Sequence, residues 1–178
     1  FGANSIKMED SGYTAKELIE KAVSIAKQAV NENGHGLVAM DIGPTGKLLR
    51  PLGDLEFDGA YEAFKEMAMV GEQAGADVAL IETMSDTHEV KAAVLAVKEN
   101  TKLPVFCTMT FDENGRSFTG CLPESMVVTL QGLGADAIGV NCSLGPDLLV
   151  PIVEKIINKA KIISHIRNPG FGVRYGIL

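Results

Sequence analysis

The chain has 178 residues, 46% apolar and 22% charged, with a formal net charge of −7, 19 glycines and three cysteines. That describes one domain or a piece of a larger one, and it excludes a disordered tail, because enough apolar side chain is present to offset chain ordering. No apolar run reaches the ~20 residues of a membrane helix, and an acidic chain without a basic run is poorly suited to nucleic acid. Charged residues from Lys7 to Glu20 leave no signal-peptide core, and so few cysteines point to a reducing, cytoplasmic setting. A start at Phe1, without an initiator Met, is what a cropped segment would show.

Taken in order, Leu18, Ala22, Ile25 and Ala29 recur at helical spacing between Ala15 and Asn33 and predict an amphipathic helix buried along that stripe. Leu37–Ile42 is short and almost continuously apolar, the pattern of a strand covered on both faces. Ala60, Phe64, Met67, Ala68 and Gly71 mark the next helix, with Asp58 as its expected N-cap. Val78–Ile81 reads as a strand, and Asp86 and Glu89 have capping-box spacing ahead of Val90, Ala93, Val94 and Val97. Val105–Met109 and Ala137–Val140 are further strands, followed by helices opened by Pro123 and Pro146, where a missing N–H is tolerated. The last of these helices carries Leu149, Ile152, Val153 and Ile156, and Lys161–Ser164 reads as a fifth strand. Gly75 and Gly134 stand where helix ends turn left-handed. No residue-level repeat accompanies the alternation. Both an open doubly wound sheet and a (β/α)8 barrel fit, and a barrel needs about 250 residues, so here it would be incomplete.

The strands end on polar residues: Asp41, Glu82, Thr110, then Asn141 and Cys142. In parallel α/β folds that edge is where ligands bind. Asp41 could equally organise the following Gly-Pro turn. Glu82 continues an apolar run, so its carboxylate needs a cation, either a basic side chain or the ammonium of a ligand. Thr110 is expected to be structural. Cys142 stands just before a helix N-terminus, which favours thiolate, and is open to three readings: nucleophile, metal ligand or inert turn residue. Cys107 reads as core and Cys121 as incidental. His35 and His88 read as exposed structural residues, and His165 is ambiguous. No paired His or Cys metal motif occurs, and Gly43–Leu48 lacks the first Gly and final hydroxyl of a phosphate loop.

Asp41-Ile-Gly-Pro-Thr-Gly46, Ile81-Glu-Thr-Met-Ser-Asp86, Met109–Gly120 and Gly139-Val-Asn-Cys-Ser-Leu-Gly-Pro146 together resemble the homocysteine S-methyltransferase family. They look most like the homocysteine-binding module of the cobalamin-dependent methionine synthases, and Phe1-Gly-Ala-Asn4 is similar to the end of that family's second barrel strand. The resemblance implies an incomplete (β/α)8 TIM barrel over residues 1–163, lacking the first and last strands, and a divergent tail over 164–178. It further implies Cys142 as one zinc-ligating thiolate, Glu82 as the anchor of the homocysteine amino group, and Asn141 as a substrate-binding neighbour. The family's paired cysteines of the eighth strand do not occur, and Cys121-Leu122 replaces its usual Thr-Asp helix cap. The implied activity is methyl transfer to the zinc-activated thiol of homocysteine, giving methionine. Methylcobalamin would be the donor, carried with folate on separate cobalamin- and folate-binding modules. By this resemblance the segment alone is inactive and its open sheet edges favour association. The alternatives are a cobalamin-independent enzyme using S-methylmethionine or betaine, and a non-catalytic barrel remnant.

Overall fold

The computed structural model describes residues 2–160. The expected strand Lys161–Ser164, His165 and the tail 164–178 lie outside the described residues. In order come α1 (Ser5–Met8), α2 (Ala15–Asn33), β1 (Ala39–Ile42), α3 (Phe57–Ala74) and β2 (Val78–Met84). They are followed by α4 (Thr87–Asn100), β3 (Val105–Met109), α5 (Pro123–Gly132), β4 (Ala137–Val140) and α6 (Pro146–Lys159). No described helix is long and apolar enough to cross a membrane.

The strands are all parallel and lie in the order β1-β2-β3-β4. Each crossover therefore steps the same way, and right-handed crossovers place every connecting helix on one face. That winding matches a barrel wall and not a doubly wound sheet, whose strand order reverses. The register confirms a helix-covered face: Met40, Ala79 and Val105 align in one row, and Ile42, Ile81, Cys107 and Ile138 in the next. All but the half-buried Ile138 are buried. Helix α3 comes so close that a Cβ on Gly71 would lie 2.9 Å from Met40 Cγ. The opposite face aligns Asp41, Leu80, Phe106 and Ala137, and there Phe106 stays 42% exposed.

Several local expectations need correction. In α2 the buried stripe is Ala15, Ile19 and Val23; Ile25 is exposed. Two apolar stripes run side by side on this helix, and the inner one packs on the core while Leu18 and Ala22 line an apolar cleft against β1. Asp58 is not the cap of α3, which starts one residue earlier after Glu56; its carboxylate instead meets the helix dipole within the first turn. Residues 2–4 form no strand, because the Asn4 side chain accepts the Lys7 N–H and starts α1. That four-residue helix is too short to show periodicity. The expected stripes of α3 and α4 are buried, and so are Leu149, Ile152 and Ile156 of α6.

A short repeat does exist. Gly75-Ala76-Asp77 and Gly134-Ala135-Asp136 end α3 and α5 and lead into β2 and β4, with the glycines at φ 100° and 84°. Asp77 Oδ2 accepts the Val38 N–H at 2.8 Å and sits 3.2 Å from Lys27 Nζ. Asp136 Oδ2 accepts the Val105 N–H at 2.8 Å and sits 3.1 Å from Lys98 Nζ. Each aspartate closes the amino-terminal edge of the preceding strand with one carboxylate and one lysine.

The Val38 N–H, and after it Lys27, hold the Asp77 carboxyl below the ordinary carboxylate range. Its contribution is therefore present above the unfolded-state value and lost as pH falls through the lower folded value. Asp77→Ala is expected to cost about 1 kcal/mol at neutral pH, the difference from the parent shrinking as the solution is acidified through the carboxylate range, checked by urea unfolding across that range.

Candidate functional site

The carboxyl ends of β2, β3 and β4 are joined by side-chain hydrogen bonds. The β2–β3 register shifts between Ile81 and Met84, and inside that bulge Thr83 takes φ 61°. A β-branched residue in the left-handed region is strained and needs compensation. Here the Thr83 N–H, removed from the ladder, donates to Asn141 Oδ1 at 3.2 Å and to Thr108 Oγ1 at 3.4 Å. The Thr108 hydroxyl donates to Asn141 Oδ1 at 2.9 Å, and Asn141 Nδ2 donates to Thr83 Oγ1 at 2.7 Å. Asn141 Nδ2 also lies 3.4 Å from the sulfur of Cys142. Cys142 and Ser143 follow at φ 56° and 66°, two further left-handed non-glycine residues, and turn the chain toward α6. The Cys142 side chain is exposed, while Asn141 is only 3% exposed.

Glu82 does not close its strand as expected. It lies inside β2, one residue before the bulge, and the ladder resumes at Met84. It falls on the same face as Asp41, whose register partner is Leu80. Burial, and after it the adjacent Asp41 carboxylate, hold the Glu82 carboxyl above its ordinary range; burial does the same for Asp41. Two partly desolvated carboxylates on one face favour a cationic group between them and solvent. Thr110 is structural, its N–H extending the ladder to the Met84 carbonyl at 2.8 Å.

The loops above this edge are laced together. Asp86 caps α4 through the His88 N–H at 2.9 Å, but Glu89 does not complete a capping box. Its Oε1 instead accepts the Thr45 N–H at 2.7 Å and the Thr45 hydroxyl at 2.6 Å, fixing the loop after β1. Thr119, in the loop after β3, donates to Asp86 Oδ1 at 3.3 Å. A buried acid three residues after a cap is indistinguishable in sequence from a box partner, so this clamp leaves no local signal.

The remaining nucleophiles and histidines stand apart from these groups. Burial pushes the Cys107 thiol far up. Cys121 points its sulfur at the Leu122 carbonyl, and Leu122 caps α5 without a side-chain hydrogen bond. His88 stacks on Phe57, and His35 meets Asn33. Among the described residues no three His, Cys, Asp or Glu side chains gather to hold a metal ion. Cys142 offers one soft donor of the four a tetrahedral zinc takes, so residues 2–160 do not by themselves make a zinc site.

The family model described as Homocysteine S-methyltransferase matches residues 1–175, and the chain belongs to that family. It is 29% identical over 185 residues to the proteins named Methionine synthase of Mycobacterium tuberculosis and Mycobacterium leprae. Those matches cover 97% of this chain but only 15% of either relative's length. Its fold is similar to that of the homocysteine methyltransferase MmuM from Escherichia coli. The metallated form gives a TM-score of 0.74 at 20% identity, covering 90% of this chain and 61% of that one. The apo form gives 0.70 at 22% identity, covering 82% and 56%.

Burial raises the Glu89 carboxyl, outweighing its Thr45 bonds. An acid raised in the folded state contributes fully below its unfolded value and loses that contribution as pH rises through the folded one. Glu89→Gln keeps an oxygen for both Thr45 donors and removes the charge. Its unfolding free energy is expected to fall less than the parent's between about pH 4 and 8, whereas Glu89→Ala loses about 1–3 kcal/mol at the acid end, a deficit that narrows as pH rises, measured by denaturant titration across that range.

Proposed function

We propose that this chain supplies the homocysteine-binding face of a methyltransferase that makes methionine, as part of an incomplete (β/α)8 wall. The observation supporting this reading is the joining of Glu82 and Cys142 at one sheet edge. Thr83, next to Glu82, is hydrogen-bonded to Asn141, which in turn reaches the Cys142 sulfur. Glu82, desolvated and repelled by Asp41, would receive the substrate ammonium, which would offset both penalties. Cys142 would give one thiolate to a zinc ion whose other donors come from outside residues 2–160. A zinc-bound thiol is deprotonated outright, and that is the chemistry the ion would supply. In the transfer, a sulfur–carbon bond forms, the donor–methyl bond breaks, and the thiol proton is released.

Methylcobalamin is the proposed donor, on a cobalamin-binding module beside a folate-binding one. What favours it is the likeness to two proteins named Methionine synthase, of which this chain matches only a part. A cytoplasmic enzyme fits a chain with no structural disulfide among its described cysteines.

In the complete protein, Glu82→Gln is expected to raise the homocysteine KM at least about tenfold with a smaller effect on kcat, as loss of a charge-assisted bond requires. Cys142→Ser is expected to lower both bound zinc, by elemental analysis, and turnover. Unchanged zinc content in Cys142→Ser together with unchanged KM in Glu82→Gln would overturn the reading. Turnover of the complete protein with methylcobalamin, S-methylmethionine and betaine identifies the donor.

A further inference from the structure

We propose that Asn141 is a positioning residue and not a substrate ligand: its amide ties the Glu82 strand to the Cys142 sulfur and sets the span between them. This rests on reading Glu82 and Cys142 as the two ends of the homocysteine site. A primary amide has two acceptor positions on its oxygen and two N–H groups. Both acceptor positions of Asn141 are taken, by the Thr83 N–H and the Thr108 hydroxyl, and both donors are directed, to Thr83 Oγ1 and Cys142 Sγ. With 3% of the residue exposed, nothing is left over for an incoming amino acid.

The partners come from two strands, β2 and β3, and from the turn that follows β4, so one amide fixes their relative placement at the site edge. On β2 it holds the bulge that follows Glu82, and bulges re-aim the side chains beside them. Beyond β4 it meets the first residue of the left-handed Cys142–Ser143 turn. On β3 it relies on the Thr108 hydroxyl, whose rotamer has room because Gly139 lies opposite; a Cβ there would come within 3.3 Å of Thr108 Cγ2. A substrate ligand could bond to Asn141 only by displacing one of these four contacts.

Two measurements on the full-length protein test the assignment. The first is hydrogen exchange at the Thr83 amide without homocysteine, read by mass spectrometry. Asn141→Ala is expected to accelerate it at least about tenfold, and Asn141→Asp, which keeps an oxygen acceptor, to leave it near the parent rate. Thr108→Val, a neutral change of similar shape, should give an intermediate acceleration if Asn141→Ala does not fold. The second is homocysteine kinetics. Asn141→Ala should raise KM about tenfold, and Asn141→Asp should restore KM while keeping a lowered kcat, because the acceptor for the Thr83 N–H and Thr108 hydroxyl remains while the N–H donors to Thr83 Oγ1 and to the sulfur are lost. Unaltered Thr83 exchange in Asn141→Ala and Thr108→Val overturns the proposal. So does Asn141→Asp raising KM as far as alanine does, the behaviour of a group that touches substrate. Failure of the parent protein to bind homocysteine would overturn the functional reading and leave the exchange result standing.

Discussion

One buried amide governs the geometry of the sheet edge. Asn141 accepts the Thr83 N–H from β2 and the Thr108 hydroxyl from β3 and donates to Thr83 Oγ1, and the first of these bonds pairs a backbone donor that the strand ladder has given up. The bulge at Thr83 removes an N–H from the ladder; the positive φ values at Thr83, Cys142 and Ser143 each carry a strain of about 1–3 kcal/mol. Strain of this kind persists only where surrounding bonds over-determine it. Without Asn141, the bulge after Glu82 and the turn at Cys142 would be free to relax independently.

The electrostatics follow from the same edge. Sequential winding puts the helices on one face and leaves Asp41, Leu80 and Phe106 on the other. Carboxylates on that face are partly desolvated, and burial first of all holds both Asp41 and Glu82 above their ordinary range. The buried Glu89 is a different case. Its bonds to Thr45 give it a local purpose, the fastening of a loop, and its raised carboxyl is the cost of that position.

Most of the architecture was legible in the sequence because strands covered on one face by helices and crossing a shared core are written as dense apolar runs. Each of the four described strands lies on an apolar run. The choice between barrel wall and doubly wound sheet was not legible from periodicity, since both use the same βα unit; strand order decides it, and order is a long-range property. Of the candidate site residues, Glu82 and Cys142 were visible as polar breaks in apolar runs. Thr83 and Thr108 were not, because a threonine in a strand is ordinary and only the bulge gives it a role. The α2 stripe was misplaced by one position because two apolar faces adjoin on that helix, and one-dimensional spacing cannot say which faces inward.

The paired Gly-Ala-Asp segments also bear on how the wall assembles. The Asp77–Val38 and Asp136–Val105 bonds close chain loops of 39 and 31 residues. Closure entropy grows only logarithmically with length, so the two latches demand nearly the same ordering cost. Each can engage once a single strand–helix–strand segment has formed. The two latches therefore tie neighbouring strands together at the end of the sheet opposite the strained rim, each through contacts internal to its own segment.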